Sequence, residues 1–423
     1  MKFNHRRSLL CFAAVLIVGP QPSSRALFAA DVPPTGAATQ SVDVDTTALA
    51  NIPPVTLADQ TTVKAMAYLR SQQKPDGSWQ NEMDPPGVTA LVLRAMLAGA
   101  PNGADDPQVK KGFDKLLSYQ LENGGIYKDA LACYNTAIAI TALAAADRPQ
   151  YHDPMEKALA YLRSLQWSDK IEGVPEGLRV KDSDPRYGGF GYGKRARPDL
   201  SNTQMALDAL HDAGVKSTDP AYAAAVKFAT RCQNLSETND QSWASDDGGF
   251  VYTPALGGNS PAGEYKDASG RRLLRSYGSM TYAGLKSMIY AGLSHDDPRV
   301  KAAFAWISLN YTLDQNPGMG ATGPANAQGG LYYYYHTLSR ALSAYGVPTI
   351  IDAQHKSHNW RIELIQQIAA RQRPDGSFVG ESRWMESNPV LVTSYCVIAL
   401  HEAEADLKNH PMINPDLDVM PNN

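Results

Sequence analysis

The sequence repeats one helical face six times, and this repeat limits the possible fold more than any other feature. In the third copy, Thr203, Ala206, Leu207 and Leu210 stand at positions i, i+3, i+4 and i+7, which places them on one face of a helix. The other copies are Thr89/Val92/Leu93/Met96, Thr136/Ala139/Ile140/Leu143, Thr281/Gly284/Leu285/Met288, Tyr335/Leu338/Ser339/Leu342 and Thr393/Cys396/Val397/Leu400. Such units bury their apolar faces by stacking on their neighbours, so the pattern predicts a repeat architecture.

A more polar helix precedes each of these segments. Three of these helices end in similar phrases, which finish at Gln73, Gln120 and Gln166, and three more end near Gln233, Gln315 and Gln372. Lys and Arg on their polar faces predict an outer, solvated layer, whereas the apolar, small-residue helices belong inside. The chain of 423 residues is 43% hydrophobic, enough for a large core. We therefore predict an all-α fold, a single (α/α)6 toroid or barrel of six helical-hairpin repeats, spanning residues 59–404.

An open superhelix is the structural alternative to this closed toroid. It requires polar capping repeats at both ends. Neither the first nor the last repeat has that composition. The sequence therefore favours the closed ring.

Glycine-containing turns join the two helices of each repeat. Gln73-Lys-Pro-Asp-Gly-Ser-Trp79 and Gln372-Arg-Pro-Asp-Gly-Ser-Phe378 share one template, and the other turns carry Asn123-Gly-Gly, Gly188-Gly-Phe, Gly248-Gly-Phe and Gly329-Gly-Leu. Pro-Asp-Gly supplies the backbone conformations of a tight turn. The Gln amide can satisfy backbone groups left free at a helix end, and the aromatic side chain can pack between repeats. We predict a structural role for these turns.

The N-terminus has the pattern of an export signal, assigned to residues 1–30. Lys2, Arg6 and Arg7 form a basic head, and an apolar run over residues 9–19 is too short to span a bilayer. Small residues follow, with cleavage expected after Ala26 or Ala29. The paired arginines fit a twin-arginine signal, with the Sec route as the alternative, and we predict a periplasmic or extracellular protein. Residues 31–58 read as a flexible lead-in and residues 405–423 as a disordered tail.

Composition excludes several other classes of function. The net charge is −4 and no basic run is present, so no nucleic-acid partner is expected. No transmembrane segment is expected in the mature chain. Once the signal is removed, Cys133, Cys232 and Cys396 remain, an odd number at helical positions, which predicts buried thiols rather than a disulfide scaffold. We predict no cofactor.

The Gln-x-x-x-Gly-x-Trp turns, set in six helix pairs, resemble the QW-type repeats of the terpenoid cyclase and protein prenyltransferase superfamily over about residues 59–404. Squalene-hopene cyclases carry Asp-x-Asp-Asp-Thr-Ala at the start of an inner helix. The matching segment here is Asp199-Leu-Ser-Asn-Thr-Gln204. Asp199 and Thr203 match, but Ser201 and Asn202 replace two carboxylates. The resemblance therefore implies Asp199 as the remaining catalytic candidate, without the acid that cyclases use to protonate an alkene.

Protein prenyltransferase β subunits bind zinc through an Asp-x-Cys pair and a later His. Tyr335-His336-Thr337 resembles their His-Thr segment, but the positions of the other ligands fall near Leu274 and Ser276. Since zinc needs three or four ligands, a single His does not hold it. We predict no metal site and interpret His336 as a pocket or core histidine.

In a toroid the inner helices begin at one end of the barrel, where their N-terminal dipoles favour an anionic or polar ligand head. The pocket candidates at these starts are Tyr134, Asn135, Ser201, Asn202, Ser279, Tyr334 and His336, with Ser394 beside them. Ser201 and Asn202 also fit helix N-capping. Tyr332 to Tyr335 form an aromatic run that suits an isoprenoid or a carbocation, or ordinary packing. The acids near these starts, Asp129, Asp199 and Glu386, are candidate general acids or simply surface carboxylates.

Two long polar loops, residues 167–186 and 253–275, interrupt the repeat and either shape a site or are surface insertions. Three functions remain open. The first is an exported terpenoid-cyclase- or prenyltransferase-like protein that binds an isoprenoid or other apolar small molecule in its barrel. The second is a non-catalytic binding or scaffold toroid. The third is a carbohydrate-active α/α-barrel enzyme, which needs two carboxylates roughly 5–10 Å apart.

Overall fold

Two concentric layers of helices alternate along the chain. The computed structural model describes residues 49–410, apart from residues 83, 99, 101, 102, 194 and 195. Within that range the outer helices are α1 (Pro54–Ser71), α3 (Pro107–Leu117), α5 (Pro149–Ser164), α7 (Pro220–Cys232), α9 (Pro298–Asn310) and α11 (Trp360–Ala370). The inner helices are α2 (Gly87–Leu97), α4 (Ala132–Ala146), α6 (Leu200–Asp212), α8 (Gly278–Tyr290), α10 (Leu331–Tyr345) and α12 (Pro389–Asn409).

The helices close into a ring. Each inner helix packs on the next in chain order, and the last, α12, packs on the first, α2. The last outer helix, α11, contacts the first, α1, and the inner helix α12 packs on α1 as well. The predicted all-α (α/α)6 toroid is therefore confirmed, and the open superhelix is ruled out.

Short strands and 3-10 turns occupy the connections between these helices. Three antiparallel hairpins are formed by β1 (Phe190–Gly191) with β2 (Pro198–Asp199), β3 (Glu264–Lys266) with β4 (Arg272–Leu274), and β5 (Ile350–Ile351) with β6 (Ser357–His358). The 3-10 turns among the described residues are Gly103–Asp105, Glu176–Leu178, Ala255–Gly257, Met319–Thr322, Pro324–Asn326 and Arg383–Met385. The first hairpin leads directly into α6 and so places Asp199 at the start of that helix.

The repeated threonine has a specific structural role. Thr203 Oγ1 accepts a hydrogen bond from the backbone N–H of Phe190, the aromatic residue of its own turn, at 3.0 Å. Thr89, Thr136, Thr281 and Thr393 accept the equivalent bonds from residues 79, 126, 250 and 378. In the fifth repeat the Tyr335 hydroxyl instead donates to the Leu313 carbonyl. The whole predicted face is buried in all six copies, because it packs against the turn that precedes it.

The repeated glutamine links neighbouring repeats. Gln166 Nε2 donates to the Gly188 carbonyl of its own turn at 2.9 Å and to the Ala221 carbonyl of the next outer helix at 3.0 Å. Gln73, Gln120, Gln233 and Gln372 make the same pair of bonds. The fifth repeat lacks this link: Gln315 is exposed, and Gln367 on α11 donates to the Leu313 carbonyl instead.

Removing the glutamine that closes the ring is expected to weaken the whole fold. Gln372 Nε2 donates to the Thr61 carbonyl of α1, a contact between residues 311 positions apart. We expect Gln372→Ala to lower the free energy of unfolding by about 1–2 kcal/mol, because two carbonyls lose a donor. Gln315→Ala is the matched control and should change it by less than about 0.5 kcal/mol. Equal losses in the two variants, measured by urea denaturation, would contradict the assigned role.

The turn glycines allow a close approach that no other residue permits. Gly188 has φ +84°, and a Cβ atom there would lie 1.8 Å from the Ala224 carbonyl oxygen of α7. Gly214 has a similar φ of +76°, but nothing lies within 4 Å of its Cβ position. We therefore expect Gly188→Ala to lower the free energy of unfolding by about 3 kcal/mol, because the new Cβ overlaps the Ala224 carbonyl oxygen and because alanine is strained at this positive φ. Gly214→Ala should lower it by only about 1 kcal/mol, because only the backbone strain is present there. Calorimetry of both variants therefore separates the cost of the steric overlap from the cost of the backbone strain.

The domain boundaries need small corrections. The helix α1 begins at Pro54, inside the predicted lead-in of residues 31–58, and α12 continues to Asn409, inside the predicted tail of residues 405–423. Proline at N1 starts α1, as it starts α3, α7 and α9, where Asp106, Asp219 and Asp297 also cap the helix. The predicted signal of residues 1–30 and residues 411–423 lie outside the described residues.

Candidate functional site

Side chains from four inner helices meet inside the barrel near the beginnings of these helices. Ser201 Oγ on α6 and Tyr333 Oη on α10 are 2.9 Å apart, and Gln204 Nε2 donates to the same Tyr333 hydroxyl at 2.9 Å. Tyr134 Oη on α4 and Tyr395 Oη on α12 are 3.2 Å apart. Because α8 lies between α6 and α10 in the ring, and α2 between α4 and α12, these bonds cross the interior. They form the floor of what we call the tyrosine recess.

Two tyrosines from the turns stand beside this floor. Tyr192 follows β1, Tyr252 follows the Gly248-Gly-Phe turn, and their hydroxyls are 2.9 Å apart. The Tyr252 carbonyl accepts a hydrogen bond from the N–H of Leu200, the first residue of α6, at 2.8 Å. Both rings, like those of Tyr134 and Tyr333, are half-buried. The recess therefore has aromatic walls with hydroxyl groups, a combination that suits an elongated apolar molecule with few polar groups.

Asp199 lies behind this wall and is 1% exposed. Its Oδ1 caps α6 by accepting from the Asn202 N–H at 2.8 Å, and its Oδ2 accepts from Asn202 Nδ2 at 2.9 Å. Burial raises the pKa of the carboxyl from 3.8 to about 7, while the bonds from Asn202 and the nearby Tyr252 hydroxyl oppose that rise. A carboxyl with such a pKa is partly protonated near neutral pH, as a general acid must be.

The structure corrects the expected capping of α6. The N-cap is Asp199, whereas Ser201 and Asn202 lie in the first turn of the helix. Asn202 is fully buried and holds the Asp199 carboxyl, while Ser201 is half-buried and faces Tyr333. Of these two candidates, only Ser201 lines the recess.

Several predicted pocket residues serve the framework instead. Asn135 Oδ1 accepts from the Gly87 N–H at 2.9 Å and so joins the starts of α4 and α2. Ser279 is held by Asn316 through its N–H and its hydroxyl, and Ser394 Oγ donates to the Val390 carbonyl of its own helix. The Tyr334 hydroxyl donates to the Thr312 carbonyl at 2.8 Å, and its ring packs edge-on against Tyr282. These contacts bind the helices to loops and to one another.

Only one residue of the Tyr332–Tyr335 run lines the recess. Tyr333 points into the recess, whereas Tyr332 packs against Phe378 and Tyr335 bonds to the Leu313 carbonyl. Consecutive helical residues point in different directions, so a four-residue run does not form a single wall.

The other two acid candidates lie in different environments. Glu386 is 1% exposed, and its Oε1 caps α10 by accepting from the N–H groups of Tyr332 and Tyr333. Burial raises the pKa of Glu386 to about 8. Asp129 is exposed beside Lys128, so the structure does not place it in a site. Glu386 contacts the recess only through the backbone of Tyr333, whereas Asp199 lies beside a recess hydroxyl, that of Tyr252.

His336 lies deeper on α10 and is 3% exposed. Its ring packs against Tyr395 with a centroid separation of 5.1 Å, and its Nδ1 has no hydrogen-bond partner. Burial and the positive charges of Lys286, Arg340 and Arg94 hold the pKa of His336 well below its usual range, so the ring is neutral. Within residues 49–410 as described, no group of three or more His, Cys, Asp or Glu side chains is arranged to hold a metal ion.

Sequence reasoning missed Tyr192, Tyr252, Gln204 and Tyr395. Tyr192 and Tyr252 each stand two residues after the Phe of a Gly-Gly-Phe turn. Alternate residues of an extended segment share a face, so this common offset was a usable signal. Tyr395 stands one position beyond Ser394 and Gln204 stands two positions beyond Asn202, and nothing local separates Tyr395 and Gln204 from core residues.

The long loops pack against the barrel. In the first, Trp167, Ile171, Val174 and Leu178 are buried. In the second, Thr253 Oγ1 donates to the Pro198 carbonyl at 2.7 Å, next to Asp199. This loop therefore helps to position the acid.

Cys133, Cys232 and Cys396 are free and buried, as predicted. Over the described part of the chain, no helix has the length and apolar character needed to cross a membrane.

Part of the sequence is similar to that of a known enzyme. No protein-family model matches the chain. Residues of the chain are 28% identical, over 155 positions, to squalene–hopene cyclase from Alicyclobacillus acidocaldarius, covering 35% of this chain and 23% of that enzyme. The match thus spans less than a quarter of the length of the curated relative.

Solved structures of other proteins share the fold. The type II terpene cyclase MstE from Scytonema, in complex with merosterolic acid A, superimposes with a TM-score of 0.50 at 16% identity, covering 84% of this chain and 99% of that one. The GH76A α-1,6-mannanase from Salegentibacter sp. HEL1_6 gives a TM-score of 0.51 at 11% identity, covering 82% and 99%. These likenesses establish the α/α toroid alone. With the cyclase sequence match, they confirm the predicted resemblance to the terpenoid cyclase superfamily.

Proposed function

We propose that this chain binds an isoprenoid, or another elongated apolar molecule, in the tyrosine recess. The observation that carries the proposal is the gathering of the half-buried side chains of Tyr134, Tyr192, Tyr252 and Tyr333, which hydrogen-bond through their hydroxyls near the starts of the inner helices. Aromatic faces provide apolar contact and also attract positive charge on a ligand. The Asp199 carboxyl beside the Tyr252 hydroxyl is 1% exposed, so it offers almost no charged surface to a ligand.

Binding is a better-supported proposal than cyclisation. Ser201 stands where squalene-hopene cyclases carry the middle aspartate, and a serine hydroxyl is far too weak an acid to protonate an alkene. Asp199 is partly protonated near neutral pH, but Asn202 occupies both of its oxygens. If turnover occurs, Asp199 is the acid that we expect to carry it, with Tyr252 between the carboxyl and the ligand.

A non-catalytic scaffold is the second candidate function, and one observation favours it. The Ser201–Tyr333 and Tyr134–Tyr395 contacts bridge the interior, and side chains that bond to one another across a barrel also suit a purely structural core. The carbohydrate-active alternative has less support. Its second carboxylate would be Glu386, whose Oε1 caps α10 and whose Oε2 lies against Gly380.

Ligand retention and binding test the proposal. Purified full-length protein is incubated with squalene, geranylgeranyl diphosphate and a mannose oligosaccharide, and both retained ligand and products are measured by mass spectrometry. We expect squalene or the prenyl diphosphate to be retained. Retention of the oligosaccharide alone, or of none of the three, would refute the isoprenoid proposal, and the second result would favour the scaffold.

A blocking substitution tests the location of the ligand. Ser201→Phe places a ring in the recess and should weaken binding of the retained lipid at least tenfold. Ser118→Phe, on the exposed end of α3, makes the same change away from the recess and should leave binding unaltered. Equal affinities for the two variants would mean that the ligand binds elsewhere.

A further inference from the structure

A cavity opens at the end of the barrel opposite the tyrosine recess. It measures about 450 Å³, within the range of small-molecule sites. Its lining comes from five of the six inner helices and includes Arg94, His211, Asp212, Tyr290, Arg340 and Glu402. Neither the repeats nor the tyrosine recess accounts for this site, which we call the charged cavity.

The lining carries balanced charge. Arg340 is 93% buried as a side chain, being 7% exposed, and its Nη2 donates to Asp212 Oδ1 at 2.7 Å. Arg94 is held much less tightly, because its nearest carboxylate contact is Glu402 at 3.9 Å, and its Nε has no partner. Two arginines and two acids thus face one space. Arg340 and Asp212 form a hydrogen-bonded ion pair, whereas Arg94 and Glu402 stand 3.9 Å apart and form what we call the open pair.

Buried charges next to the lining contact Arg340. Lys286 Nζ donates to Asp208 Oδ2 at 2.8 Å, and Arg340 Nη1 lies 3.5 Å from the same oxygen. Both Lys286 and Asp208 are fully buried. These fixed charges hold Arg340 and Asp212 in place, so a ligand meets a preorganised surface.

One wall of the cavity is flat and aromatic. The rings of His211 and Tyr290 stack with centroids 3.8 Å apart and an interplanar angle of 7°. The Tyr290 hydroxyl also lies 3.4 Å from Arg340 Nη2. Together with Ile289, this wall offers an apolar surface to the uncharged part of a ligand.

We propose that the charged cavity binds a small zwitterion, a free α-amino acid. Its carboxylate pairs with the Arg94 guanidinium, whose planar donors suit that group. Its ammonium pairs with Glu402, which the ligand separates from Arg94. The side chain of the ligand lies against His211 and Tyr290.

The charge balance selects this class of ligand over simpler ones. A lone anion would meet Asp212, Glu402 and the carbonyl ends of four helices, α2, α6, α8 and α10, whose dipoles oppose negative charge. A lone cation would leave Arg94 without an acceptor and would lie beside two guanidinium groups. A molecule with both charges satisfies both sides of the open Arg94–Glu402 pair. This inference is independent of the isoprenoid proposal.

Calorimetric titration of the full-length protein tests this inference. Each of the common α-amino acids is titrated separately, and propionate and ethylamine serve as probes that carry only one of the two charges. We expect at least one amino acid to bind and to raise the melting temperature, with both single-charge probes at least tenfold weaker. Binding of propionate or ethylamine as tight as that of the best amino acid, or binding by no amino acid, would overturn the proposal.

Two substitutions locate the binding. Arg94→Gln and Glu402→Gln should each weaken amino-acid binding at least tenfold, since each removes one charge of the open pair. Arg148→Gln removes an arginine from an exposed pair with Asp105 and should have no effect. If Arg94→Gln fails to fold, Glu402→Gln decides the question alone. Unchanged binding in the folded variants would contradict the assignment.

Discussion

Replacement of Lys286 by methionine is expected to lower the free energy of unfolding by about 3–5 kcal/mol, since it leaves a charged carboxylate buried without its main partner. Lys286 on α8 and Asp208 on α6 are 0% and 1% exposed as side chains, and their charges lie 2.8 Å apart. After the change, Asp208 keeps only the longer contact to Arg340 at 3.5 Å. Equilibrium denaturation in urea measures the loss.

The double variant separates the cost of an unpaired charge from that of lost packing. In Lys286→Met/Asp208→Leu both charges are gone, and apolar side chains of similar size replace them. We expect its stability to return to within about 1 kcal/mol of the parent protein. Lys157→Met, which breaks an exposed pair with Asp153, should cost less than about 1 kcal/mol. A double variant less stable than Lys286→Met would contradict the account.

The free energy of unfolding of Asp199→Asn should rise relative to that of the parent protein as pH increases, and this relative gain should reach about 4 kcal/mol at pH 8. The pKa of Asp199 is about 7 in the folded protein, whereas an aspartate in the unfolded chain has the ordinary value of 3.8. Between these values the folded state holds a proton that the unfolded state has lost, so the parent loses stability as pH rises through this window. The asparagine side chain stays neutral and avoids that loss.

Unfolding free energies of both proteins between pH 4 and pH 8 provide the measurement. The pKa of Glu386 is also raised, to about 8, and shifts stability in the same direction, but it contributes equally to both proteins. The difference between the two curves therefore isolates Asp199. Parallel curves would show that the carboxyl is not held in a dry environment, and its candidacy as a general acid would end.

The fold could be predicted because its signals are local and repeated. The face that begins at Thr203 follows from helical periodicity alone, and five further copies indicate that the units stack. The threonine itself could not be explained from sequence, because its partner, the N–H of Phe190, becomes a neighbour only when the turn folds back on the helix. The repeat also implied that the ring closes, but no local pattern in the sequence indicated that Gln372 would bond to the Thr61 carbonyl.

The site was harder to predict because it depends on direction within each helix turn. Tyr333 and Tyr334 are neighbours in sequence, yet one faces Ser201 across the barrel and the other bonds to a loop carbonyl. Asp129 and Asp199 both precede inner helices, yet only Asp199 is enclosed by a strand hairpin and a loop. Asp208, Lys286 and Arg340 resemble solvated positions in sequence, and only the three-dimensional pairing of their charges explains their burial.

Photo-crosslinking of the full-length protein with a benzophenone-bearing prenyl probe tests the central claim, that the tyrosine recess holds an apolar ligand. Peptide mapping reports where the probe attaches, and excess squalene serves as the competitor. The account predicts labelling of peptides that contain Tyr192, Ser201 or Tyr333, suppressed by squalene and lost in Ser201→Phe. Labelling confined to the outer helices, or labelling that squalene leaves unchanged, would contradict it.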